Sequence, residues 1–158
     1  MEQRRQPTRG DWIRLAAFVD GEGMIDIHEG VPKIRVRPTP NLFLRVVILN
    51  TDPRLPLWCK GTFGGSVLPG GRPRKASHRP TFVWAVSARQ AARVVRGCLP
   101  HLLLKREQAE VALAFYETIG RHGKPVSGEI IERRLDCRRL LSSLKHERRD
   151  QRGQLLVN

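Results

Sequence analysis

The sequence predicts an α+β fold built on a twisted antiparallel sheet of four strands, with one apolar and one polar face, and three observations predict it. Trp12 to Val19 is a helical apolar run that gives way after Gly23 to alternation, placing Ile25 and Ile27 on one side of a strand and Met24, Asp26 and His28 on the other. Further strand-like stretches, Asn41 to Leu49, Thr62 to Leu68 and Thr81 to Val86, are separated by proline, glycine and Asx-type turn signals. Beyond Ser87 the apolar residues recur at helical spacing, which supplies helices to back the sheet.

In chain order, residues 1–10 are polar and basic and are expected to form an N-terminal arm able to touch phosphates, though a frayed terminus is the plainer account of them. Residues 11–158 are expected to form one domain. Asp11 is placed to cap a helix beginning at Trp12. Apolar residues nearly encircle that helix, and burial all round is hard within one small chain. A second subunit is the natural cover, with Trp12, Leu15, Ala16, Phe18 and Val19 at the interface. Gly21 and Gly23 permit a left-handed exit, so the helix can stop abruptly with an acid presented to solvent. Asp20 and Glu22 then face the negative end of the helix dipole, which is unfavourable unless a cation offsets it. That asks for a metal.

Lys33, Arg35 and Arg37 alternate with Ile34 and Val36, and the Asn41–Leu49 stretch is interrupted by Arg45. A two-sided sheet can lay its polar face along a DNA major groove, with Asp26, His28, Lys33, Arg35, Arg37 and Arg45 as candidate contacts. A solvated sheet face accounts for the same residues. The loop PGGRPRKASHR, residues 69–79, offers Arg72, Arg74, Lys75 and Arg79 to phosphates. Asn50-Thr51-Asp52-Pro53 is a turn followed by a helix start. Ser87-Ala88-Arg89-Gln90 reads as a capping box for a helix through Val94 and Val95, ending near Gly97 and Pro100. Another helix follows from about Leu102, and C-terminal helices at about 126–150 carry a face rich in arginine.

The chain has 158 residues, with 29 Lys and Arg against 15 Asp and Glu, a net charge of +14 that calls for a polyanionic partner. No apolar run approaches the roughly 18 residues of a membrane span, and MEQRRQPTRGD lacks a signal peptide's apolar segment. The expectation is an intracellular protein, in cytoplasm, nucleoid or organelle, not secreted and with no membrane partner. Cys59, Cys98 and Cys137 are odd in number, far apart and without a CxxC pair, which argues for free thiols over a disulfide framework or zinc.

The stretch LAAFVDGEG, Leu15 to Gly23, resembles the LAGLIDADG motif of homing endonucleases: apolar run, first acid, glycine, second acid and final glycine fall in register. Ala17 stands where the family often has glycine, and Glu22 where aspartate is also common. The resemblance implies the family's αββαββα fold, in which the sheet forms a DNA-binding saddle with helices on its other face. It implies that Glu22 binds a divalent metal, Mg2+ with Mn2+ or Ca2+ able to take its place in binding, together with the Gly21 backbone carbonyl and Asp20, which also helps close the helix end. Asn50 is implied beside the active centre and Arg54 in the solvent network around the scissile phosphate; as residues alone they are equally a turn former and a solvated helix residue. Lys105 is implied as the basic residue that approaches the phosphate, with Arg106 its rival and an ordinary helix-start lysine the plain alternative.

One motif and no internal repeat imply a homodimer whose first helices pair, acting on a long, roughly palindromic double-stranded DNA target. The implied activity is that of an intron-encoded, site-specific endonuclease that hydrolyses both strands with a divalent metal and leaves short 3′ overhangs. The alternative is a non-cleaving nucleic-acid-binding protein on the same scaffold, an intron maturase or a regulator.

Overall fold

The computed structural model describes residues 5–31, 40–71, 79–120 and 126–155. The elements are α1 (Arg9–Glu22), β1 (Gly23–Gly30), β2 (Asn41–Asn50), α2 (Arg54–Phe63), β3 (Ser66–Pro69), β4 (Phe82–Ser87), α3 (Ala88–Cys98), a 3-10 turn (Leu99–His101), α4 (Arg106–Glu117) and α5 (Gly128–Leu155). The strands form one antiparallel sheet in the order β1-β2-β4-β3. The expected α+β class and four-stranded sheet are therefore present. The strand-like alternation of Lys33, Arg35 and Arg37, and the loop residues Arg72, Arg74 and Lys75, lie outside the described residues.

Alternation decides which face is covered. Ile25 and Ile27 of β1, Leu42, Leu44, Val46 and Ile48 of β2, and Trp84 and Val86 of β4 point to one side and are buried. Against them lie Leu15 and Val19 of α1, Val94 and Val95 of α3, and Ala109, Ala112 and Phe115 of α4. Small residues bring the helices close: a Cβ on Gly97 would stand 2.4 Å from the Trp12 ring, so α1 and α3 meet where no larger residue fits. Leu141 of α5 joins the same core, and α5 crosses α4 and reaches β1.

Local chemistry moves two boundaries and replaces one cap relative to the sequence expectation. Helix α1 starts at Arg9, not Trp12: Thr8 is the N-cap, and Asp11 is the third helical residue of a complete capping box. Asp11 also takes two hydrogen bonds from Arg5, at 2.9 and 3.0 Å, so residues 5–10 are tied to the domain. The Thr8 backbone N–H, then the Arg5 guanidinium and the Thr8 hydroxyl, hold its carboxyl down at about 2. Strand β3 begins at Ser66 because Thr62 and Phe63 complete α2, after which Gly64 and Gly65 turn the chain at φ 85° and 87°. Ser87 makes no side-chain cap; Gln90 instead donates to the Phe63 carbonyl at 3.0 Å, and Ala88 takes φ 51°.

The turn at Gly64-Gly65 locks α2 to the sheet. Trp84 Nε1 donates to the Gly64 carbonyl at 2.7 Å, and a Cβ on Gly65 would lie 2.5 Å from the Ala85 carbonyl oxygen. Gly65→Ala meets both a left-handed backbone and a backbone clash, so urea denaturation should show a loss of about 3 kcal/mol. An unchanged midpoint would show that the turn can be remade without that contact.

Candidate active centre at the tip of α1

Helix α1 passes directly into β1. Gly23, its C-cap, has φ −85° and ψ 162°, ordinary extended backbone, so the left-handed exit expected there does not occur. Glycine is needed for closeness instead: a Cβ would lie 2.6 Å from the Val19 Cα. Glu22 is thereby left exposed at the helix end.

Asn50, at the end of β2, donates through Nδ2 to Glu22 Oε2. Its Oδ1 accepts the Asp52 amide at 2.7 Å, an Asx turn that fixes the amide group's orientation. The structure therefore brings Asn50 to Glu22, across 28 residues of chain. Arg54 is one link further away: its guanidinium sits on Asp52, with Nε 3.0 Å from both carboxylate oxygens, and its side chain is 88% exposed. The hydrogen bonds from Arg54 hold the Asp52 carboxyl down from 3.8 to about 2. Asp52 thus favours the folded turn fully above about 3.8, and that preference is lost as pH falls through about 2. In a carboxyl-carbon NMR titration Asp52 should titrate near 2, and Arg54→Ala should return it toward 3.8; no movement would show that the guanidinium is not the cause.

The cation that offsets the end of α1 is a lysine. Lys105 Nζ donates to the carbonyls of Val19, Asp20 and Gly23 at 2.6, 2.9 and 2.7 Å. Asp20 reciprocates by accepting the backbone amides of Leu103, Leu104 and Lys105 at 2.7, 3.1 and 2.9 Å. Asp20 and Lys105 form a two-way clamp between the helix tip and the segment before α4. Two expectations change with it. Asp20 spends its carboxylate on amides, so it closes the helix end and is not placed as a metal ligand; Lys105 lies at the centre but binds the protein's own carbonyls. Its rival Arg106 is exposed at the start of α4.

Among the described residues no three His, Cys, Asp or Glu side chains group to hold a metal. Glu22 beside the exposed last-turn Gly21 still offers hard oxygen donors, the type Mg2+ takes as one or two carboxylates completed by water and phosphate. The residues fit such an ion when a second carboxylate and a phosphate are supplied from outside the chain. Cys59 and Cys98 are buried free thiols pushed up to about 12, unsuited to metal binding or nucleophilic attack.

The interface expectation needs correcting. Leu15, Ala16 and Val19 are buried in their own chain's core, and Trp12 packs against Phe63 with ring centres 4.8 Å apart and planes tilted by 51°, because the sheet and α3 supply the cover. Phe18 is half-buried beside Trp58. The open stripe of α1 is Ile13, Ala17 and Gly21, spaced four apart on one face. That spacing was readable in the sequence, but the all-round apolar pattern hid it.

On the sheet's outer face Asp26 pairs with Arg45 at 3.1 Å, opposite it in register, and lies 3.6 Å from His28 Nδ1. Lys145 of α5 approaches the same carboxylate at 3.5 Å, and Arg138 reaches Glu29 at 2.7 Å. So α5 brings positive charge to the sheet's β1 edge, which no local sequence pattern near β1 announced. Arg79 is exposed ahead of β4. No helix among the described residues is long and apolar enough to cross a membrane.

No protein-family model and no curated protein sequence matches the chain. Solved structures do share its fold. The homing endonuclease I-CvuI, in complex with its target in the presence of calcium, superposes with a TM-score of 0.68 at 18% identity, over 86% of this chain and 82% of that one. The archaeal intron-encoded homing endonuclease I-Vdi141I, complexed with DNA, gives 0.67 at 14% identity over 85% and 84%. The LAGLIDADG homing endonuclease I-GzeII, in complex with its DNA target, gives 0.57 at 16% identity over 80% of this chain but 43% of that one.

Proposed function

We propose, from the LAGLIDADG homing-endonuclease fold that the chain carries, that it is a site-specific DNA endonuclease acting as a homodimer on a long, roughly palindromic target. The observation that carries the reading is Glu22: an exposed carboxylate at a helix end, oriented by Asn50, with its helix electrostatically completed by Lys105. Pairing two copies along Ile13, Ala17 and Gly21 would bring two such tips together, since small side chains let helix backbones approach. The match to less than half of I-GzeII and to most of I-CvuI supports reading one copy as half of the working unit.

In that dimer the two Glu22 carboxylates would hold a divalent cation, Mg2+ above all, which when bound supplies Lewis-acid charge at the scissile phosphate. The chain's own residues do the rest. Asn50 holds Glu22 by a hydrogen bond from its amide, which reduces the ordering left to be done when DNA arrives. Lys105 lowers the cost of gathering negative charge at two helix ends. The sheet's outer face and the net charge of +14 take up the duplex. Short 3′ overhangs and an intron as host element complete the proposal.

The second reading, a non-cleaving maturase or regulator, draws on Lys105, whose ammonium bonds carbonyls of its own chain. Incubation with Mg2+ and a randomised duplex library separates the two. Double-strand cuts at a selected sequence support the endonuclease; tight, selective binding with intact DNA supports the alternative.

A further inference from the structure

The outer face of the sheet is ordered by chemistry along its length. Register places Leu49, Val83 and Leu68 in one row across β2, β4 and β3, at the end of β2 that runs into Asn50. The next row is Met24, Val47, Ala85 and Ser66. Only then come Asp26, Arg45 and Ser87, followed by His28 and Phe43. The rows nearest Glu22 are thus apolar and open, with Met24 38%, Leu49 48% and Leu68 58% exposed. Apart from Ser66 at the β3 edge, hydrogen-bonding side chains start one pleat further out.

An open apolar patch on a strongly basic chain marks a contact surface. Successive rows stand about 6.8 Å apart, two base-pair steps of about 3.4 Å. In a major groove the apolar feature a base pair presents is the thymine C5-methyl group, which is met by apolar side chains. Arginine, histidine and aspartate instead read donors and acceptors.

We propose that Met24, Val47, Leu49, Leu68 and Val83 select thymine methyl groups in the part of each half-site nearest the cleavage centre, while Arg45 and His28 read hydrogen-bonding edges further out. The occupant is the major groove of duplex DNA, argued from the net charge of +14 and from fold neighbours solved on DNA. The inference rests on the DNA-cleaving reading above, but is tested by binding alone.

The full chain is taken through half-site selection from a randomised library, and the selected duplex is remade with deoxyuridine for thymidine at inner or at outer positions. Affinity is measured in Ca2+. Thymine should dominate the inner positions, on either strand, and each inner methyl removed should cost roughly fourfold in affinity. Outer replacements should cost less than twofold. Leu49→Ala with Val47→Ala should shrink the inner thymine-to-uracil ratio toward one. Inner positions without thymine, or indifference to uracil, overturn the inference and leave DNA recognition standing. No selected sequence at all overturns the reading on which it rests. If Leu49→Asp changes the oligomeric state while uracil discrimination persists, a second copy covers these rows and the inference fails.

Discussion

Glu22→Gln should abolish cutting and spare binding. Glutamine is isosteric and its side-chain oxygen can still accept from Asn50 Nδ2, so the tip of α1 keeps its shape while losing its charge. Without that charge a divalent cation has no carboxylate in the chain's candidate site, since Asp20 is committed to the amides of Leu103, Leu104 and Lys105. Metal assistance is worth several kcal/mol of transition-state stabilisation, so the single-turnover rate in Mg2+ should fall by about 10^3-fold or more. Affinity for the selected duplex in Ca2+-free buffer should hold or rise, because each copy loses one negative charge beside the phosphates. Cleavage at the parent rate would remove Glu22 from the mechanism.

The second large effect concerns the clamp. Lys105→Met removes three charge-assisted hydrogen bonds to the carbonyls of Val19, Asp20 and Gly23, where α1 runs into β1, and should cost about 3 kcal/mol of folding stability, measured without DNA. Asp20→Asn should cost less, because the amide oxygen still accepts from part of the segment before α4. The double variant should lose less than the sum, with a coupling of about 1 kcal/mol or more, since each residue holds the element on which the other sits. Cleavage by Lys105→Met should drop less than by Glu22→Gln. Full stability with lost cleavage would instead make Lys105 a group that acts on the reacting phosphate alone.

Much of this was legible in the sequence because it is local and periodic. Alternation at Ile25 and Ile27 against Asp26 and His28, and the apolar run of β2, set the buried face of the sheet. LAAFVDGEG marked the helix end and Glu22, and the resemblance it carries implied Asn50 beside that end, where the residues alone showed only a turn. What escaped depends on pairings between distant segments. The acids at the helix end called for a cation, but that Lys105, 82 residues beyond Gly23, supplies positive charge to the carbonyls there depends on how the start of α4 approaches. Leu15 and Val19 seemed available to a partner until the sheet covered them. The interplay of Asp26 with Lys145 depends on where a C-terminal helix crosses β1, 119 residues later.

On one duplex, two copies should bring their Glu22 tips together. Native mass measurement of the full chain on its selected duplex, in Ca2+ so that the DNA stays whole, tests it most directly. Two chains per duplex are expected, reduced to unbound or single chains by Ala17→Glu on the open stripe of α1. One chain per duplex, still cutting both strands once Mg2+ is added, would contradict it.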